Sequence, residues 1–536
     1  MGNQEEFLRA VEGFDVRAVV AGHIHRQEVM RVNGITSVTL PGILNTAAYH
    51  WVTPVTGADG APALAITLAQ RGAAGWQETP VVEIPVEGER RALRRAPKLR
   101  TEVAGDRSSV EVMADLHPAQ DADAARARFV PESVFGGRSS AGWTALAPEQ
   151  GGRRWRGTVD ASALAAGLHE LQVQASDGDA RFEATEAVEL PATATDRLRL
   201  AWEKDLVTAI QAGLAPLPDD RLVAATVGGA VVALDAGGSQ PSERWRREAA
   251  GPVYGTPATD PEGRRVFVPT ATGVVHAFDA ADGREAWRFT VPRPALAAPA
   301  TTADGTVLIA AAGRALHALE ADSGDERWTA DVGGFVGGRP AADERAVYAG
   351  AGNGKVHAFS LATGERLWER VLSSGAPYRT FILGPWATQP TLLPGDRVLV
   401  ATVLNAYALD RSTGATAWEL RGGFMYNAAL LLADRLVMVD EFGGVVAVDP
   451  LTGAELWRTK LAQRVLGGSP ALWKGAVAIG GVNGLVALLD PATGADAGRL
   501  RIGVDYVHSA PAVAGDVLAV GSQDGRLRAV MALPSA

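Results

Sequence analysis

Three observations predict a mainly β protein, most of it one closed ring of repeated sheets. Seven tryptophans, Trp202, Trp245, Trp287, Trp328, Trp368, Trp418 and Trp457, recur at spacings of 43, 42, 41, 40, 50 and 39 residues. The same order of short apolar runs and small-residue turns fills each interval. Sixty-one glycines and 30 prolines in 536 residues supply the tight turns that many short strands require. A period of about 40 residues with several strands per unit is that of a propeller blade. A lone four-stranded sheet cannot bury both faces. Stacking neighbours around an axis buries them, and closing the ring removes exposed edges.

Each interval reads alike. After the tryptophan comes a turn with Pro-Ala, as in Gly255-Thr-Pro-Ala258, Gly338-Arg-Pro-Ala341, Gly468-Ser-Pro-Ala471 and Ser509-Ala-Pro-Ala512. An apolar strand follows (RVFVPT, 265–270; AVYAGA, 346–351), then a glycine turn. A second strand ends in Ala-Leu-Asp or a variant, and a Thr-Gly leads to the next tryptophan, as in Thr452-Gly-Ala-Glu-Leu-Trp457. A weaker unit, GRLRAVMALP (525–534), makes eight, with Gly498 standing where the eighth tryptophan is expected. The tryptophans read as wedges between adjacent blades, each carrying a large apolar area and one N–H to satisfy.

The one marked irregularity is the 50-residue interval. Its extra segment, SSGAPYRTFILGPWATQP (373–390), holds Tyr378, Arg379, Phe381 and Trp386. Extra length in a propeller unit maps to a loop on one face, and aromatics with arginine suit partner recognition. Met425 and Tyr426 lie near in repeat order, as do Asp440 and Glu441, two acids in an otherwise apolar strand slot. These eight residues are the candidate partner-binding set, for a protein or an extended ligand on a propeller face. His276, His317 and His357 occupy equivalent slots in three blades, so they are expected to be structural rather than convergent metal ligands.

Composition bounds the remaining choices. Lys+Arg 51 against Asp+Glu 61 gives a net charge of −10, which opposes a general nucleic-acid grip. With no cysteine there is no disulfide, thiolate metal site or cysteine nucleophile. Mean hydropathy is +0.03, and no apolar run reaches the about 18 residues of a membrane span. The segment MGNQEEFLRAVEG has neither the basic nor the apolar region of a signal peptide.

Three segments are expected: 1–88, 89–196 and 197–536. The middle one opens on the Arg-rich run GERRALRRAPKLR (88–100). It continues with strand-like SSVEVMADL (108–116), AGWTAL (141–146), RRWRGTVDASAL (153–164) and GLHELQVQAS (167–176). The order Trp155…Asp160…Leu164…Gly167…His169…Val173…Ala175-Ser-Asp-Gly178 resembles an immunoglobulin-like or fibronectin-like sandwich, which implies a spacer. In the first segment, EEFLRAVEGF (5–14) sets Phe7, Leu8, Val11 and Phe14 on one helical face. VRAVVAG (16–22) reads as a strand ending at Gly22 before His23-Ile24-His25.

Strand, glycine and His-x-His in that order resemble the last motif of calcineurin-like metallophosphoesterases. The resemblance implies that His23 and His25 each ligate one ion of a divalent pair (Fe, Mn or Zn) that activates water for attack on phosphorus. That family's other motifs, Asp-x-His, Gly-Asp and Gly-Asn-His-Asp/Glu, do not occur here in the required order, so no catalytic residue is assigned. The expectation is a truncated α/β remnant whose reading frame starts earlier or whose gene was split. The alternative is a phosphoester hydrolase whose N-terminal motifs are missing.

The repeat over 202–536 resembles the pyrroloquinoline-quinone-type propeller. That family includes quinone-dependent alcohol dehydrogenases and outer-membrane assembly factors of the BamB type. The dehydrogenases carry long insertions and an adjacent cysteine pair that this chain lacks, so the resemblance implies the non-catalytic branch, no bound cofactor in this chain and, by analogy, an extracytoplasmic location.

Overall fold

The computed structural model describes residues 18–21, 28–32, 35–39, 48–57, 60–72, 75–85, 96–118, 120–130, 142–177, 180–193, 196–461 and 463–533. They divide into two compact units, the described residues before 189 apart from 165–168, and residues 165–168 with 189–533.

The first unit is built of strands. Ala18–Ala21 pairs parallel to Ile35–Thr39, which pairs antiparallel to Glu28–Val32. Ala48–Thr56, Pro62–Gly72 and Gly75–Pro85 form an antiparallel meander, and Val38, Ile66 and Ile84 share a small core. Farther on, Lys98–Val103, Ser109–Asp115, Arg154–Asp160, Thr144–Glu149, Ala124–Phe129 and Gly167–Asp177 are neighbours in that order. Thr144–Glu149 changes partner midway. Residues 144–146 pair with 125–127, and 147–149 pair with 154–156. Alternation sets the inward face, with Val110, Val112 and Ala114 all buried. Buried Trp155 donates its Nε1–H to the Gly152 carbonyl (2.9 Å).

The second unit is a ring of eight four-stranded antiparallel sheets. Blades 1 to 7 span 215–248, 258–290, 300–331, 341–371, 391–421, 430–460 and 471–501. Blade 8 takes three strands from 512–532, and its outermost strand is Leu198–Asp205, paired antiparallel with Arg526–Ala532. The start of the repeat therefore completes its end. Eight hydrophobic clusters fill the eight interfaces between neighbouring blades, including that between blades 8 and 1, where Trp202, Leu206 and Ile210 meet Leu222, Val232 and Val517. The second and third strands of a blade are buried on both faces, so they read as continuous apolar runs such as Thr306–Ala310.

Outer strands obey another rule. In Glu285–Thr290 and its equivalents in blades 1 to 6, only the tryptophan is buried. A bulge precedes it in each case. Ala277 faces Trp287 but Phe278 faces Glu285, leaving Ala286 unpaired, and the same shift recurs in every blade. Such a bulge re-aims the side chain beside it. Each indole then donates to a carbonyl in the next blade: Trp202 to Ala236 (3.2 Å), Trp245 to Ala280 (3.1 Å), Trp287 to Ala321 (2.9 Å), Trp328 to Leu361 (2.7 Å), Trp368 to Arg411 (2.8 Å), Trp418 to Pro450 (3.2 Å) and Trp457 to Pro491 (2.9 Å). Trp202 thus serves blade 8, and Gly498 lies in blade 7, where Arg197 and Leu198 fill the space beside it. This corrects the expectation that the eighth unit lacks its tryptophan.

The glycine of the Thr-Gly turn matches the indole. Gly324 has φ +79°, and a Cβ there would lie 2.6 Å from the Trp287 ring; Gly283, Gly364, Gly414, Gly453 and Gly494 face Trp245, Trp328, Trp368, Trp418 and Trp457 in the same way. Gly305 has a similar φ, +77°, but open space around its Cα. Ala at either position pays about 1 kcal/mol for the left-handed backbone. Gly324→Ala is predicted to cost a further about 1–3 kcal/mol by overpacking the indole. Equal denaturant midpoints for Gly324→Ala and Gly305→Ala would contradict this contact.

The repeat-slot histidines face their own outer strands. His276 Nδ1 and His317 Nδ1 lie 2.6 Å from Glu285 and Glu326, and the Ala250 N–H donates to His276 Nε2 (2.9 Å). His357 has Glu369 at 3.7 Å and Asn353 at 3.3 Å. Burial, the largest influence, pushes His357 down to about 4 from an ordinary 6.5. Below pH 6.5 the unfolded chain takes up a proton that the folded chain refuses, so stability falls as pH drops toward 4. His357→Gln is predicted to flatten the stability profile between pH 6.5 and 4. An unchanged slope by denaturation at fixed pH values would count against it.

Candidate partner-binding face

Blade connectivity sorts loops onto two faces. The connector leaving each outer strand and the turn between the second and third strands of the next blade lie together. Their amides and carbonyls bond across: Ala271 to Pro252 (2.8 Å), Ala312 to Pro294 (2.8 Å), Gly352 to Phe335 (2.8 Å) and Val482 to Arg464 (2.9 Å). At blade 5 this bond is absent among the described residues, and the long interval takes its place.

Where the sequence predicts a loop, that interval contains a short helix, Pro377–Leu383. Pro377 begins it where a missing N–H costs nothing. Gly384 and Pro385 end it, the Gly384 amide donating back to the Phe381 carbonyl. The helix delivers Phe381 onto Trp386, with the rings stacked 5.3 Å apart and 5° from parallel. Phe335, on the connector before blade 4, sits 6.1 Å from Phe381 and 5.4 Å from Trp386, and Tyr426 meets Trp386 edge-on at 6.1 Å. Three consecutive connectors thus converge on one aromatic cluster. Offset and edge-on contacts of this kind each add about 0.5–1.5 kcal/mol beyond area burial.

Glycines make the room. A Cβ at Gly352 would lie 2.7 Å from the Phe381 ring, one at Gly354 2.1 Å from the Ser373 carbonyl, and one at Gly350 2.2 Å from the Pro385 carbonyl. The run AGAGNG (349–354) is the sequence counterpart of the insertion lying over it.

The eight candidate residues separate by exposure. Tyr378 (54% exposed), Phe381 (39%) and Arg379 face solvent. Trp386 and Tyr426 are half-buried beneath them, and the Trp386 Nε1–H is buried with no hydrogen-bond partner. Burial first, and the nearby Glu441 carboxylate second, raise the Tyr426 phenol above its usual value. Met425 is fully buried and presents nothing to a partner. Asp440 and Glu441 sit in the turn after Leu436–Val439, not within a strand. Asp440 Oδ1 accepts from the Phe442 and Gly444 amides (2.8 Å each), a turn-closing role. Glu441 pairs with Arg464, whose guanidinium lies 5.3 Å from the ring of Phe442, itself 58% exposed. Phe335, Phe442 and Arg464 are site residues that the sequence reading missed. Their signal was position in the repeat rather than local composition.

Among the described residues no group of three or more His, Asp or Glu could hold a metal. His23 and His25 lie outside the described residues, as does the segment 5–14. No described helix is long and apolar enough to cross a membrane.

Comparison with known proteins falls on the propeller. The sequence profile described as "Outer membrane protein assembly factor BamB" matches residues 191–298, 271–424 and 441–533. The chain is 29% identical over 230 residues to the outer membrane protein assembly factor BamB of Yersinia pestis, covering 41% of this chain and 58% of that protein's length. It is 26% identical over 347 residues to that of Bordetella pertussis, covering 62% and 86%. Among solved structures, BamB from Moraxella catarrhalis aligns with a TM-score of 0.53 at 23% identity, covering 62% of this chain and 99% of that one, which shows the shared fold. With the matched segments spanning more than half its length, the chain belongs, through its propeller, to the BamB family.

Proposed function

We propose that this protein is a propeller-based binding or scaffold protein, not an enzyme in this chain, that engages a protein partner through the connectors of blades 4 to 6. The observation that carries the reading is the Phe381–Trp386 stack, set between Phe335 and Tyr426 and topped by exposed Tyr378. Aromatics with a solvent-facing edge and a packed base are what interface anchors are made of. The relatives' name, outer membrane protein assembly factor, supports an extracytoplasmic site of action and a role in assembling other proteins.

The reading extends to the other segments. The six antiparallel strands between 98 and 177, one of which changes partner, and the buried Trp155 support an Ig-like spacer. A second reading, a phosphoester hydrolase whose N-terminal motifs are missing, is favoured by one feature. Ala18–Ala21, just before the Gly-His-Ile-His string, pairs parallel to Ile35–Thr39, as α/β cores do. Purified chain retaining two equivalents of divalent metal would favour that hydrolase reading.

A photoreactive phenylalanine analogue at Tyr378 is predicted to give one discrete protein adduct in the native cell, and Phe381→Ala to abolish it. The same probe at Asp322, on the opposite set of turns, is predicted to give none. No adduct at Tyr378, or the same adduct from both positions, would overturn the proposal.

A further inference from the structure

The innermost strands of neighbouring blades touch one another along most of the ring, and the second residue before each of them occupies one equivalent position per blade. Going round, these are Gly213, Thr256, Ala298, Arg339, Gln389, Ala428, Ser469 and Ala510. Two bonds tie the position directly from blade to blade. The Gly213 N–H donates to Thr256 Oγ1 (2.9 Å), and the Ala428 N–H donates to Ser469 Oγ (2.7 Å). Six of the eight residues are small, so packing there asks for little volume. Arg339 is the exception. It is exposed while Gly338 and Pro340 on either side are buried, and its position at the inner end of the blade puts it beside the centre of the ring.

The Arg339 guanidinium makes no ion pair or hydrogen bond with any described residue. Protein crowds around the exposed guanidinium, and that partial loss of solvent holds it below the usual arginine value. An arginine remains charged even so. Gln389 in the next blade likewise makes no hydrogen bond among the described residues and can offer an amide N–H₂. The mouth of the central channel adjoins the aromatic cluster, since the Gly337 and Gly338 amides both donate to the Trp386 carbonyl (2.7 and 3.1 Å).

We infer that Arg339, with Gln389 beside it, forms a carboxylate-binding site at the mouth of the central channel. A planar guanidinium fork matches the two oxygens of a carboxylate with parallel N–H···O bonds, and such charge-assisted bonds are about twice as strong as neutral ones. The carboxylate is either that of a free small acid or that of an acidic side chain on a partner loop entering the channel. The chain's net charge of −10 does not attract anions at long range, so recognition is local and weak, with millimolar affinity. This inference is independent of whether the aromatic cluster binds a partner.

The test is isothermal titration of the full chain at low salt with succinate, with the blocked peptide acetyl-Gly-Asp-Gly-amide and with inorganic phosphate. At least one carboxylate is predicted to bind more tightly than phosphate. Arg339→Gln is predicted to weaken it by at least about tenfold, and Gln389→Ala by a smaller factor. Equal binding of succinate and peptide identifies a general carboxylate site, and binding of the peptide alone identifies a partner's acidic side chain. Because Arg339 has no partner to lose, Arg339→Gln should also leave the thermal midpoint unchanged or raise it, which a structural arginine would not do. Binding of neither carboxylate, tighter binding of phosphate, undiminished binding by Arg339→Gln, or a lowered midpoint in that variant would each overturn the inference.

Discussion

An indole laid flat against the next blade's glycine is the contact on which the ring depends. The glycine meets two demands at once. The Thr-Gly turn needs a left-handed residue, and the approaching ring needs a surface with no Cβ. The indole also meets two. Its apolar area fills the gap between sheets, and its one N–H finds a carbonyl across that gap. A bulge just before each tryptophan aims it there. Tryptophan, bulge and glycine recur together from Trp245 to Trp457, and each supports the others there.

Closure follows from the same device. The outer strand of blade 8 comes from the start of the repeat, so Trp202 docks on blade 1 as Trp457 docks on blade 7. The interface between blades 7 and 8 is the one without a tryptophan on the outer strand. There Trp473, Leu500, Ile502 and Leu198 supply the packing instead. A ring so constrained leaves its connectors to carry function. The longest of them gathers an aromatic cluster at blades 4 to 6, and the innermost positions bring Arg339 and Gln389 to the channel mouth beside it.

The period, the strand order and the wedge positions were legible because a repeat multiplies each weak signal eightfold. The number of blades was read correctly, but strand ownership was not. Counting from Trp202 as the first wedge hides that its strand belongs to the last sheet, since pairing across 300 residues leaves no local trace. The insertion's aromatics were visible from its length. Phe335 and Arg464 were not, because they join the site only when connectors distant in sequence meet in space. Met425 looked accessible beside Tyr426, but it packs inward with Phe424. The glycines of AGAGNG were visible too, but their purpose shows only once the Pro377–Leu383 helix lies over them.

The ring stands or falls on the pairing of its first strand with its last. The chain has no cysteine, so a pair introduced at Arg199 and Met531, which are direct Cα partners in that pairing, would be its only thiols. Opposed residues of antiparallel strands lie within disulfide reach. Mild oxidation of the Arg199→Cys/Met531→Cys chain should give an intramolecular bond, seen as a faster-migrating monomer on a non-reducing gel and reversed by reductant. A monomer of unchanged mobility, or only disulfide-linked dimers, would mean that the ring is not closed in this way.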